Sequence, residues 1–127
     1  MNILLTIVFI LLGLLVFWQW RMAGKARDIE GSPAPDTSSV DGELTAPARV
    51  YFFHASNCRP CKQMMPLVDE LGHDFPNLIK VEISQNIGLA RAFRVVGTPS
   101  FIAVRDGLVS EVRLGAADPD WLRRHLA

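Results

Sequence analysis

Hydrophobic positions fall into three regimes along the chain. From Ile3 to Trp20 they are nearly continuous, broken by Thr6, Gly13 and Gln19 and by no charge. From Arg21 to about Pro47 no apolar period is sustained, and Gly31, Pro33, Pro35, Gly42, Pro47 and the cluster Asp36-Thr37-Ser38-Ser39 punctuate the stretch. From Ala48 onward, short apolar runs alternate with polar turns.

The first regime has the length of a membrane span. About 18 residues at 1.5 Å rise give roughly 27 Å, close to a hydrocarbon core of about 30 Å. Trp18 and Trp20 sit at one end, where indole rings settle into the interface. A cleaved leader would want a basic segment ahead of the apolar run, and only Met1 and Asn2 stand there. A core helix would show a polar face. Residues 1–21 are therefore expected to be an uncleaved single-pass anchor, crossing the membrane through residues 3–20. Residues 22–47 read as a linker. A short arm packed on the domain is the alternative, with Val40 and Leu44 in its favour.

The third regime, residues 48–127, predicts a domain. Arg49–His54 is a continuous apolar run and reads as a buried parallel strand. A helix follows from Arg59 to about Gly72, with Met64, Met65, Leu67, Val68 and Leu71 inward and Pro66 as a kink. Leu78–Ser84 alternates and predicts a strand, and Leu89–Arg94 a short helix. Ser100–Arg105 and Leu108–Leu114 are strands joined by the hairpin signal Asp106-Gly107. Asp118 caps a last helix with Pro119 in its first turn, running to Leu126. The order β-α-β-α-β-β-α predicts a three-layer α/β sandwich with a mixed sheet, preceded by one transmembrane helix.

Composition narrows the function. The formal net charge of the 127 residues is zero, so nothing points to nucleic acid. The chain has two cysteines, which excludes a disulfide scaffold.

Both cysteines lie in Cys58-Arg59-Pro60-Cys61-Lys62, between the first strand and its helix. Residues i and i+3 on a first helical turn are about as far apart as a disulfide requires, roughly 5–6 Å. Pro60 fits that turn, where its missing N–H is no loss. The helix N-terminus, Arg59 and Lys62 favour a thiolate at Cys58. A redox pair is the leading reading. A structural bridge is a second, although so short a loop removes little chain entropy. Half of a zinc site is a third, and it would need ligands from the dispersed His54, His73 and His125.

Over about residues 48–127 the chain resembles the thioredoxin family. Cys58-Arg59-Pro60-Cys61-Lys62 is similar to that family's C-G-P-C-K, with Arg for Gly, and Pro66 falls where the family has its kinking proline. Val81-Glu82-Ile83-Ser84-Gln85-Asn86 resembles its strand-and-turn segment. Val96-Gly97-Thr98-Pro99-Ser100-Phe101 resembles the segment that carries its cis-proline. Asp106-Gly107 and Gly115 match its hairpin and the glycine ahead of its last helix.

The resemblance implies a thiol–disulfide oxidoreductase that needs no metal or organic cofactor. Cys58 would attack, Cys61 would resolve the mixed disulfide, and a cis Pro99 would set the Thr98 backbone beside the sulfurs. Arg59 and Pro60 would tune the pair. Protein thiols and disulfides are the implied substrates, and a reductase or membrane electron donor the implied partner. A specialised single-client reductase, for example in cytochrome c maturation, is an alternative, as is a redox-inert binding module.

The sequence departs from the family at three places. The buried acid six residues before the first cysteine is Phe52, which leaves Lys80, solvent or substrate to move the resolving cysteine's proton. The two tryptophans near the pair are His54 and Asn57. His54 would act as a cation near Cys58, or stand as a half-packed strand-end residue. The family's first strand and helix have no clear counterpart before Val50.

Arg21, Lys25 and Arg27 follow the apolar span, against no Lys or Arg before it. For a single-pass protein of a bacterial inner membrane, that bias places the domain in the cytoplasm. The periplasmic face, which many tethered members of the family occupy, is the alternative.

Overall fold

A computed structural model describes residues 2–26, 28–42 and 46–127. The apolar first regime forms helix α1, Ile3–Ala26. Its 24 residues reach about 36 Å at 1.5 Å per residue. Its large apolar side chains, from Ile3 to Trp20, are exposed along the whole length. Among the described residues it is the one helix long and apolar enough to cross a membrane, over Ile3–Met22.

The domain is a four-stranded sheet: β1 Ala48–His54, β2 Leu78–Glu82, β3 Ser100–Arg105 and β4 Leu108–Leu114. The spatial order is β2-β1-β3-β4. β1 runs parallel to β2 and antiparallel to β3, and β3 and β4 form the hairpin. The mixed sheet that the pattern predicts is thus present. The hairpin turn places Asp106 and Gly107 at φ 52° and 79°, the left-handed region that an Asp-Gly pair tolerates.

β1 is central, and that explains its unbroken apolar run. Val50, Tyr51, Phe52 and Phe53 are all 0% exposed. Alternation sends Val50 and Phe52 to one face and Tyr51 and Phe53 to the other. The first face is covered by two helices, Arg59–Asp74 and Pro119–Leu126, through Met64, Val68, Leu71, Trp121 and Leu122. In chain order these are α3 and α5. The opposite face is covered by α4, Ile87–Ala92, through Leu89, Ala90 and the adjoining Phe93.

Residues 28–42 also cover that second face, which differs from a free linker. Ile29 is buried in its core, and Val40 packs against it. Backbone bonds run from Gly31 N–H to Val109 O (2.7 Å), Val109 N–H to Ser32 O (2.9 Å) and Ala34 N–H to Gly107 O (2.8 Å). The arm thus pairs with the outer edge of β4, then reaches the single-turn helix α2, Ser38–Asp41, beside β2. The hydroxyls of Thr37 and Tyr51 each donate to Asp41 Oδ2 at 2.6 Å, and Arg49 Nη1 lies 3.3 Å from the same oxygen. Burial first, then the bond to Asp41, pushes the Tyr51 phenol up to about 12. The arm's anchoring is one residue at a time, so it leaves no periodic signature. Leu44, read as a second anchor, lies outside the described residues.

Several boundaries move. β2 stops at Glu82, because the Glu82 carboxylate accepts the Gln85 N–H (3.1 Å) and the Ser84 hydroxyl, capping a 3₁₀ turn over Ile83–Gln85. α4 starts at Ile87 and ends at Ala92, after which Arg94 adopts φ 52°. α3 continues through Pro66 to Asp74.

Candidate active site

β1 ends at His54, and the chain turns through Ala55, Ser56 and Asn57 to Cys58. The turn is closed by a bond from Cys58 N–H to Ala55 O at 3.3 Å. Cys58 is the N-cap residue of α3, with extended backbone. Its sulfur accepts the Cys61 N–H at 3.2 Å, satisfying one of the helix's free donors as a capping serine would. Cys58 and Cys61 form a disulfide with Cα atoms 5.2 Å apart. Cys58 is 8% exposed and Cys61 1%, while Arg59 and Pro60 between them are exposed. Cys58 is therefore the less buried of the two.

The Thr98–Pro99 bond is cis. Phe53 pairs with Ser100, so the start of β3 lies at the same end of the sheet as the exit of β1. Pro99 is buried and its carbonyl accepts Gly115 N–H at 2.8 Å, while Thr98 remains half-exposed. Two chain segments far apart in sequence thus meet at one edge of the domain.

Phe52 stands where an acid would be expected, and it is packed rather than polar. Its ring stacks on Phe101 (centroids 4.7 Å apart, planes at 19°) and on His54 (5.4 Å, 25°). Trp121 meets Phe101 edge-on at 6.3 Å. Phe52, Phe101 and Trp121 of this ladder lie in the same buried cluster as both cysteines. Sequence reasoning singles out Phe52 and His54 but not their stack, which depends on register and rotamers.

Lys80 lies opposite Phe52 in the β1–β2 pairing, and its ammonium sits 2.7 Å from Asp69 of α3, with both side chains half-exposed. It is held on the outer surface of α3, and no local pattern in the sequence marks Asp69 as its partner. His54 is half-buried, and burial chiefly lowers its pKa, with Lys80 acting in the same direction and Glu82 against. That direction disfavours the charged form of the ring.

The cysteine pair opens α3 after β1, and the cis Thr98–Pro99 bond precedes β3 at the same end of the sheet. The family model described as Thioredoxin matches residues 41–127. The chain belongs to the thioredoxin family. A thioredoxin of Staphylococcus saprophyticus is 30% identical over 73 residues, 55% of this chain and 70% of that protein. Among solved structures, a mutant thioredoxin from Halobacterium salinarum NRC-1 superposes with a TM-score of 0.62 at 26% identity, covering 74% of this chain and 84% of that one. Fasciola hepatica thioredoxin gives 0.54 at 31% identity, covering 61% and 80%. The thioredoxin-family pair makes this chain a thiol–disulfide oxidoreductase. Thioredoxins act on protein disulfides and are themselves reduced by reductases.

Proposed function

We propose that this protein is a membrane-tethered thiol–disulfide oxidoreductase that works through a mixed disulfide on Cys58. The observation that carries the reading is the placement of Cys58 as N-cap of α3, with the Cys61 N–H on its sulfur. A thiolate at that position is stabilised by the helix N-terminus. It attacks a substrate disulfide, one substrate sulfur leaves as a thiolate, and Cys61 then attacks Cys58 to release the other. Arg59 and Pro60 shape the exposed rim, and the Thr98 backbone ahead of Pro99 offers a strand edge to the substrate.

α1 supplies the tether, and the arm over residues 28–42 holds the domain's near end. Residues 1–21 then serve as anchor and 48–127 as catalytic domain. The charges after the span favour the cytoplasmic face in a bacterial inner membrane. There the pair would rest reduced and act as a reductant.

The test is capture in intact cells. Cys61→Ser should accumulate mixed disulfides on Cys58, identifiable by mass spectrometry in the membrane fraction. Absence of any adduct, with the protein folded and membrane-bound, would sink the reading. Insulin reduction with a supplied reductant separates a general reductase from one dedicated to a single client.

A further inference from the structure

Position 52 carries no acid, so the proton of the resolving thiol needs another acceptor. We propose that His54 accepts the Cys61 proton during resolution of the mixed disulfide. This rests on the assignment of Cys58 as attacker and Cys61 as resolver.

The argument begins with alternation. Residues two apart on a strand share a face, so His54 projects to the side of Phe52. Phe52 belongs to the buried cluster containing Cys58 and Cys61, and the His54 ring lies on it with centroids 5.4 Å apart. The imidazole therefore caps the ring ladder at the end of β1 from which the chain turns to Cys58.

The neighbouring charged groups are otherwise engaged or unsuited. Lys80 of β2 is an ammonium paired with Asp69 of α3 at 2.7 Å. Glu82, the register partner of His54, accepts the Gln85 N–H and the Ser84 hydroxyl, and those bonds weaken it as a base. Arg59 and Lys62 on the first turn of α3 are exposed cations. Among the described residues, no protein group hydrogen-bonds the His54 ring nitrogens. Burial disfavours the charged ring, which leaves a nitrogen lone pair open to a proton.

In the step, the Cys61 S–H proton passes to a His54 nitrogen, directly or through one water. The Cys61 thiolate attacks Cys58 Sγ, and the Cys58–Cys61 bond forms. The Cys58–substrate S–S bond breaks, with its electron pair leaving on the substrate sulfur. The imidazolium proton then neutralises that thiolate. The pair loses two electrons and the substrate disulfide gains them, so no further reductant enters.

Reduced protein, mixed rapidly with a peptide disulfide, reports attack and resolution as successive phases. In the wild type the resolution rate should inflect below about pH 6.5, the ordinary histidine value. NMR titration of His54 should give the same midpoint. His54→Gln should slow resolution by about 10²-fold, the low end for a lost general base, and abolish the inflection. His54→Phe keeps a ring on Phe52 and removes the nitrogens, so it should show the same loss. Wild-type resolution in folded His54→Phe would overturn the proposal, as would equal slowing of attack and resolution in both variants. Should neither variant fold, the wild type decides: a kinetic midpoint that departs from the NMR midpoint of His54 overturns it. Failure of Cys61→Ser to trap substrate would instead strike the attacker–resolver assignment.

Discussion

Cys61 donates its backbone N–H to the sulfur of Cys58 at 3.2 Å. One residue thus aims a main-chain donor at the other's sulfur, while its own side chain, 1% exposed, is kept from solvent. The two cysteines are unequal before any substrate arrives, and the inequality follows from their order along the first turn of α3.

Cys58 should therefore be the more reactive thiol in the reduced protein. Its pKa should lie below the free value of about 8.5. Alkylation rates against pH, measured on Cys58→Ser and Cys61→Ser separately, give each thiol its own profile. Faster alkylation of Cys61 at neutral pH would reverse the roles of attacker and resolver.

Tyr51 is the single tyrosine, so its ionisation is read without ambiguity. Its folded pKa of about 12 lies above the unfolded value of about 10. The folded state thus holds the phenolic proton more tightly. That contribution to stability is complete below about pH 10 and is lost as the pH rises toward about 12. Phenolate absorbance should appear near pH 12 in the native protein and near about 10 in urea. Asp41→Asn removes the carboxylate that both hydroxyls address, so it should lower the native midpoint and loosen the arm. A native midpoint near about 10 would mean that the arm does not cover Tyr51.

Phe52→Asp replaces a fully buried ring with a carboxyl group. Loss of the ring stack and burial of the acid should together cost on the order of 4 kcal/mol, read from denaturant midpoints. Burial raises the pKa of such an acid and makes it a usable base. In the His54→Gln background, Phe52→Asp should recover part of the lost resolution rate. A folded double variant that resolves no faster than His54→Gln would show that position 52 has no access to the Cys61 proton.

The parts of the fold that are legible in the sequence are those set by local chemistry. β3 and β4 begin and end at the residues read from the pattern, because the Asp106-Gly107 turn pins the register of both. Asp118 caps α5 by accepting the Asp120 N–H, as its place before Pro119 implies. The cysteine pair is legible for the same reason: its spacing and its helix start are local. The stack of Phe101, Phe52 and His54 spans two strands, and the Lys80–Asp69 pair joins a strand to a helix. Neither exists until register is fixed. Of the arm only Val40 is legible, as an apolar position, because Ile29, Thr37 and Asp41 each find a different partner, at intervals that match no helix or strand period.

With the proposed tether, the side of the membrane that the domain faces would set the direction of its electron flow. Arg21, Lys25 and Arg27 follow the span on its carboxyl side, and Lys and Arg near a span's end hold that end in the cytoplasm. Acidic residues count little in this bias, so Asp28 and Glu30 do not offset it. A dithiol facing the cytoplasmic glutathione pool rests reduced and gives electrons away. One on the outer side needs electrons delivered across the membrane for each turnover. Fusions of alkaline phosphatase and of a fluorescent protein after Ala127 read the two cases in opposite ways. The cytoplasmic assignment expects a bright fluorescent fusion and an inactive phosphatase. Replacing Arg21, Lys25 and Arg27 with Asn, and adding three lysines after Met1, should invert both signals if those charges set the orientation. An active phosphatase on the unmodified chain would place the pair outside and turn the search for its electron source toward membrane-spanning dithiol carriers.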